Sequence, residues 1–217
     1  MTELLVKGVI AYLLGSIIGS LVIGRIRGST DIRTLGSGNA GATNALRTQG
    51  RVIGLGVLLI DLAKGWVATA LLAPATLPVI FPAAPALAVW TAPVCGLAVI
   101  LGHVYPVFFG FRGGKGVATF VGAILGISGW LFLVMLVTFL VAVILFGYVS
   151  LASMLGAIAV AFAIALGDYA PHAPLVTFGA LAALLIVFTH RSNIERIVNG
   201  SESRARRLWL LGLKRNA

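Results

Sequence analysis

Thirty-one consecutive residues, 117–147, carry no charged side chain. A run of that length far exceeds the roughly three-turn helix of an ordinary soluble core, whereas about 20 apolar residues suffice to cross a bilayer. Five further apolar stretches, 4–24, 52–73, 86–101, 149–167 and 175–189, fill most of the remaining chain of 217 residues. Composition agrees: 59% of residues are hydrophobic and 10% are charged, against about 25% charged in soluble domains. Lipid cannot hydrogen-bond an open backbone, so helices are the expected form of every span. The chain reads as an all-α, polytopic membrane helical bundle, a single domain over residues 1–217 with no soluble module. Its first stretch follows Glu3, is interrupted by Lys7 and is longer than a signal-peptide core, so it is expected to stay as an uncleaved first span. The single cysteine, Cys95, supports neither a disulfide framework within the chain nor a cysteine metal site.

A formal net charge of +10 would point to nucleic acid in a soluble protein, but its distribution has another reason. Five arginines lie within 25–51, Arg112 and Lys115 within 102–116, and seven Lys or Arg follow His190: fourteen of the sixteen basic residues. The connections at 74–85 and 168–174 carry no charge and one aspartate, respectively. Basic loops stay on the cytoplasmic side, so the bilayer is the expected partner and nucleic acid is not. If 117–147 crossed once, the basic tail would end outside; an even number of crossings, with a turn at Gly126-Ile127-Ser128-Gly129, keeps it inside. The expectation is about seven transmembrane helices, with a periplasmic N-terminus and a cytoplasmic C-terminus. Each half of 117–147 would rise only ~23 Å at ~1.5 Å per residue, short of the ~30 Å hydrocarbon core, which calls for local thinning or a re-entrant pair. Gly15-Ser16-Ile17-Ile18-Gly19 has the small-residue spacing of a tight helix crossing.

The polar residues with chemical potential fall in four clusters. The first basic loop contains Gly36-Ser37-Gly38-Asn39-Ala40-Gly41-Ala42-Thr43-Asn44 and then Arg47. It formally matches G-x-G-x-x-G, but a dinucleotide fold needs a preceding strand, and an apolar span precedes it here. Backbone amides at Gly36 and Gly38, side-chain donors on Ser37, Asn39 and Asn44, and the Arg47 cation together suit an anionic, oxygen-rich ligand. The second loop runs from Gly102-His103 through Phe108, Phe109 and Phe111 to Arg112-Gly113-Gly114-Lys115-Gly116. It lacks the spacing of a P-loop, yet exposed glycine amides, a helix entry and an ammonium make a phosphate cradle, which His103 could share. The phenylalanines suit the interface or an acyl chain.

Ser150 and Ser153, three residues apart, form the third cluster, and His190 and Asn193, one helical turn apart, the fourth. A histidine and an amide on one face can bind or deprotonate a substrate hydroxyl. Asp61 and Lys64 lie in the second span, where ionisable groups are expected to pair with each other or with the loops; the sharper alternative is an ion pathway.

Taken in order, these blocks resemble the PlsY family, the acyl-phosphate:glycerol-3-phosphate acyltransferases of bacterial phospholipid synthesis. The resemblance covers essentially the whole chain and rests on residues 36–44, on Gly-His-Val-Tyr-Pro through Gly-Gly-Lys-Gly-Val-Ala-Thr at 102–119, and on His-Arg-Ser-Asn-Ile-Glu-Arg at 190–196. Ile18 stands where proline is common in the family, and Tyr105 where phenylalanine is usual. The resemblance implies seven spans in a bacterial inner membrane, an acyl-phosphate donor rather than a coenzyme A ester, and a cytoplasmic groove lined by Ser37, Arg47, Lys115, Ser150, His190 and Asn193.

On that reading the acceptor is glycerol 3-phosphate, the products are 1-acyl-glycerol 3-phosphate and phosphate, and no cofactor or metal takes part. Arg47, Lys115 and the glycine amides would hold phosphates, Ser37 and Ser150 would donate to the acyl donor or its oxyanion, and His190 and Asn193 would orient glycerol 3-phosphate. The base stays open among His190, His103 and a phosphate oxygen of the substrate. A membrane transporter or channel for a small anion is the alternative class, but the polar clusters crowd one face and no internal repeat is visible. Oligomeric state and acyl-chain preference leave no signal in the sequence.

Overall fold

Helix accounts for all the regular structure of the computed structural model among its described residues, 2–28, 31–77, 85–205 and 208–209. The chain folds as two compact units, Met1–Ser128 and Gly129–Ala217. The first contains α1 (Thr2–Gly15), α2 (Gly19–Ile26), α3 (Ala42–Thr48), α4 (Arg51–Trp66), α5 (Pro85–Ala88), α6 (Thr91–Val104) and α7 (Val117–Ile127). A π-helical segment, Val67–Leu72, prolongs α4, and 3-10 turns occupy Ile32–Thr34 and Val107–Phe109. The second unit contains α8 (Gly129–Phe146), α9 (Val149–Leu166), α10 (His172–Thr189) and α11 (Arg191–Val198). Five helices are long and apolar enough to cross a membrane, and the α1–α2 pair makes a sixth if its bent halves are one span.

Glycines set the two main crossings of the first unit. Where α1 meets α6, a Cβ at Gly15 would strike the Val99 backbone and one at Gly102 the Tyr12 carbonyl. Where α4 meets α7, Gly65 faces the Thr119 carbonyl and Gly122 the Leu62 carbonyl. Without a side chain at these points the backbones approach to van der Waals contact, which drives helix association in lipid. Thr69 adds an interhelical hydrogen bond to the Ala123 carbonyl at 2.9 Å.

The first span differs from the expected continuous helix. It breaks after Gly15 and resumes at Gly19 with a 51° bend, and the two glycines serve different close approaches, Gly15 to the backbone of α6 and Gly19 to Val57 and Ile60 of α4. The backbone groups freed there are met from α4: the Lys64 ammonium donates to the Gly15 and Ile17 carbonyls at 2.8 Å each, and Asp61 Oδ1 accepts from the Gly19 amide at 3.3 Å. At membrane depth such internal partners make a broken helix tolerable.

The 31-residue apolar run breaks at Ser128, whose backbone is extended, inside the expected turn. The division is unequal: α7 has 11 residues and α8 has 18, rising about 16 and 27 Å. α8 therefore nearly matches the hydrocarbon core, and the shortfall falls on α7 alone. In the second unit α9 packs against both α8 and α10, with Gly156 lying on Met135. Of the expected uncharged connection at 74–85, residues 78–84 lie outside the described residues, as do Arg206, Arg207, Lys214 and Arg215 of the basic tail.

Candidate active site

In the first unit, the loop after α2 is organised around Asn44. Its side chain, buried at the start of α3, accepts from the Ser37 amide at 3.0 Å and donates to the carbonyls of Leu35, Asn39 and Ile32 at 2.9, 3.0 and 3.3 Å. Asn44 thus spends its polar atoms on the loop itself rather than presenting them to a ligand. Gly36 and Gly38 take positive φ values of 57° and 71°, and a Cβ at Gly36 would collide with Asn44 Oδ1. Ser20 on α2 ties the loop down by donating to the Ala40 carbonyl at 2.5 Å. The result is a rigid loop that leaves Gly36, Ser37, Gly38 and Arg47 exposed and Asn39 half-buried.

The second loop folds back on the end of α6. The amides of Gly113 and Gly114 donate to the Val104 and His103 carbonyls, both at 3.1 Å. Those two amides therefore close the helix instead of pointing at a phosphate, which corrects one element of the expected cradle. A Cβ at Gly113 would strike the His103 carbonyl, and one at Gly114 would strike the His103 ring at Nε2. Gly116, at φ +85°, turns the chain into α7 against Ile100, and Lys115 is half-buried beside it. Arg25 stacks over Phe109, while Phe108 and Phe111 are exposed.

Arg33 joins the two loops. Its guanidinium pairs with Asp31 at 2.6 Å and donates to the carbonyls of Phe109 and Arg112 at 2.9 and 3.0 Å. The hydrogen bonds from Arg33 hold the Asp31 carboxyl below its usual range. Loop composition alone does not separate Arg33 from the other orienting arginines; the only local signal is Asp31 two residues before it.

Beneath both loops lie Asp61, Lys64 and His103, all buried. Lys64 Nζ is 3.0 Å from Asp61 Oδ1, and His103 Nδ1 is 3.5 Å from the same oxygen. The expected ion pair in the second span is present, engaged with the helix break. His103, 2% exposed, is enclosed between Asp61 and Gly114.

In the second unit, Glu202 gathers the polar side chains. Its Oε1 accepts from Ser150 at 2.7 Å and Asn193 at 2.6 Å, and its Oε2 accepts from Arg196 at 2.7 Å. Burial would raise the Glu202 carboxyl, but the bonds from Ser150, Asn193 and Arg196 outweigh it and hold the group below its ordinary value. Ser150 spends its one hydroxyl proton on this carboxylate, so it can meet a further group only as an acceptor while that bond stands. Ser153 donates to its own helix at the Val149 carbonyl, 2.9 Å away. His190 is buried with Nδ1 2.7 Å from the Ile186 carbonyl. A carbonyl only accepts, so in the neutral ring Nδ1 carries the proton and Nε2 the lone pair. The sequence pattern does not single out Glu202; its signal is an acid among only six in the chain, placed next to the basic tail.

The chain that carries these loops and the histidine–amide pair is similar to known proteins over most of its length. A family model described as glycerol-3-phosphate acyltransferase matches residues 5–200, across both compact units. Proteins named glycerol-3-phosphate acyltransferase from Geotalea daltonii and Listeria monocytogenes are 43% and 42% identical, over 94% and 96% of this chain and 98% of each relative. A namesake from Chlorobaculum tepidum is 39% identical over 90% of this chain and 94% of its own. Two crystal structures of PlsY, described as an integral membrane glycerol 3-phosphate acyltransferase in glycerol 3-phosphate and lysophosphatidic acid forms, match with a TM-score of 0.81. They share 35% and 34% identity, over 93% and 96% of this chain and 94% and 98% of theirs. Fold and relatives together define a multi-pass, integral membrane acyltransferase. Within that class, the chain belongs to the glycerol-3-phosphate acyltransferase family.

Proposed function

We propose that this protein transfers a fatty acyl group from an acyl phosphate to the 1-hydroxyl of glycerol 3-phosphate, as the first acylation of phospholipid synthesis. The hydroxyl oxygen bonds to the acyl carbon, the carbon–oxygen bond to phosphate breaks, and inorganic phosphate leaves with 1-acyl-glycerol 3-phosphate as the other product. The observation that carries this reading is the pair of braced glycine-rich loops bearing Arg47 and Lys115 in a member of this family. Phosphate is already a good leaving group, so the protein's task is to position two anions and stabilise developing charge.

Arg47 and Lys115 hold phosphate groups, Ser37 donates to the acyl donor, and His190 and Asn193 orient glycerol 3-phosphate. Gly36, Gly38 and Gly116 shape the loops, Asn39 adds a donor, and Ser150 sets the Glu202 carboxylate that holds Asn193. The hydroxyl proton passes to His190 Nε2 or to a substrate phosphate oxygen. On this reading the chain crosses seven times with a periplasmic N-terminus and a cytoplasmic C-terminus, and the chemistry lies on the cytoplasmic face of a bacterial inner membrane; the clustering of arginines in the loops supports it.

The test is purified, detergent-solubilised protein given glycerol 3-phosphate with palmitoyl phosphate or with palmitoyl-CoA, and lysophosphatidic acid measured by mass spectrometry. Product from the phosphate donor alone is expected, and Lys115→Ala or Arg47→Ala should lower kcat/KM at least about tenfold, about 1.4 kcal/mol or more of transition-state stabilisation. Product from the CoA ester alone would overturn the donor assignment.

A further inference from the structure

Asp61, Lys64 and His103 are buried, ionisable and unused by the chemistry above. Asp61 Oδ2 and His103 Nδ1 have no hydrogen-bond partner among the described residues. Placing such groups at membrane depth is costly, and a helix crossing could be built without them. Their contacts run to both anion-handling loops. On one side, Asp61 Oδ1 accepts from Gly19 and Lys64 holds the Gly15 and Ile17 carbonyls. This fixes the start of α2, from which Ser20 reaches the Ala40 carbonyl of the first loop. On the other side, the His103 ring faces Asp61 through Nδ1 and lies against Gly114 at Nε2, one residue before Lys115. Arg33 closes the circuit above by joining the loops directly.

We infer that Asp61, Lys64 and His103 form a buried positioning unit that sets the first loop and Lys115 at matching heights for phosphate capture. This rests on the acyltransferase reading above, in which those loops hold phosphates. The three residues touch no substrate. They act by holding the α1–α2 break and the Gly114 backbone in register from one carboxylate, so an error in either contact displaces a phosphate-holding group. Displacements of about 1 Å are felt in such sites, because binding and reaction both depend on where the charged groups stand.

The test uses the full chain in detergent, with kcat and the KM of both phosphate-bearing substrates measured for wild type, Asp61→Asn, His103→Ala and His103→Asn. Asp61→Asn and His103→Ala should raise at least one KM about tenfold while kcat changes less than about threefold. His103→Asn, whose amide nitrogen can stand where Nδ1 faces Asp61, should recover most of that loss. A fall in kcat with both KM values unchanged would make His103 a reacting group and overturn the inference, as would wild-type kinetics in all three variants. If Asp61→Asn does not assemble, Ser20→Ala cuts the same path at the Ala40 carbonyl and should show the same KM signature; unchanged KM values there would equally overturn it. Inactive wild-type protein would instead sink the acyltransferase reading.

Discussion

Glu202 shows how much of the candidate site is built by residues that never enter the chemistry. One carboxylate receives Ser150, Asn193 and Arg196, and its pKa lies below the ordinary glutamate value of 4.5. A group depressed in the folded state contributes stability above its unfolded pKa and loses it as pH falls through the folded one. Glu202→Gln should therefore lower the thermal midpoint near neutrality by a few degrees, a net loss of roughly 1–2 kcal/mol because the amide keeps part of the hydrogen bonding. The gap from wild type should close as pH falls below about 4.5. A gap that persisted in acid would mean that packing, not charge, makes the clasp. At this scale the sequence identified the kinds of residue but not their division of labour. Asn44 and Ser37 look alike as loop donors, yet one braces the backbone and the other is presented on the surface. That distinction depends on which way a side chain turns, which spacing along a loop does not encode. His103 likewise sits in a glycine-rich block that suggests ligand contact, and its burial with Nδ1 3.5 Å from Asp61 is not encoded in that block.

At the scale of elements, the apolar runs predicted helices within a few residues, because in lipid a helix satisfies its backbone within the one segment. Position 128 was legible as a turn, but not that it leaves 11 residues on one side and 18 on the other. The bend at 15–19 was hidden because the side chains that compensate it, Asp61 and Lys64, lie more than forty residues away in sequence. Glycine content marked close crossings without saying which glycines make them. Gly65 and Gly122 face backbone across α4 and α7, whereas Gly129, at the start of α8, has nothing within 4 Å of a modest added Cβ. Gly65→Ala and Gly122→Ala should each lower stability by about 1–3 kcal/mol, while Gly129→Ala should leave it within about 0.5 kcal/mol. Thermal unfolding in detergent by circular dichroism checks the contrast, and equal effects at all three positions would remove the crossing glycines from the account.

For the whole molecule, charge placement carries the topology. The proposed seven crossings would put Ala75 and Tyr169 in the periplasm and Arg112 and Asn199 in the cytoplasm, since arginine-rich loops favour the inside. In a Cys95→Ala background, cysteines at 75 and 169 should react with an impermeant maleimide in intact cells, and those at 112 and 199 only after lysis. Labelling of 112 from outside would invert the topology. The chemistry proposed on that inner face is direct: the glycerol 3-phosphate hydroxyl attacks the acyl phosphate, with no acyl group carried by the protein. Rapid-quench measurement of inorganic phosphate from palmitoyl phosphate, at enzyme concentrations comparable to the donor, tests this most sharply. Direct transfer predicts no phosphate burst without glycerol 3-phosphate and one phosphate per lysophosphatidic acid when it is added. A burst stoichiometric with enzyme in the absence of glycerol 3-phosphate would reveal an acyl-enzyme and contradict the account.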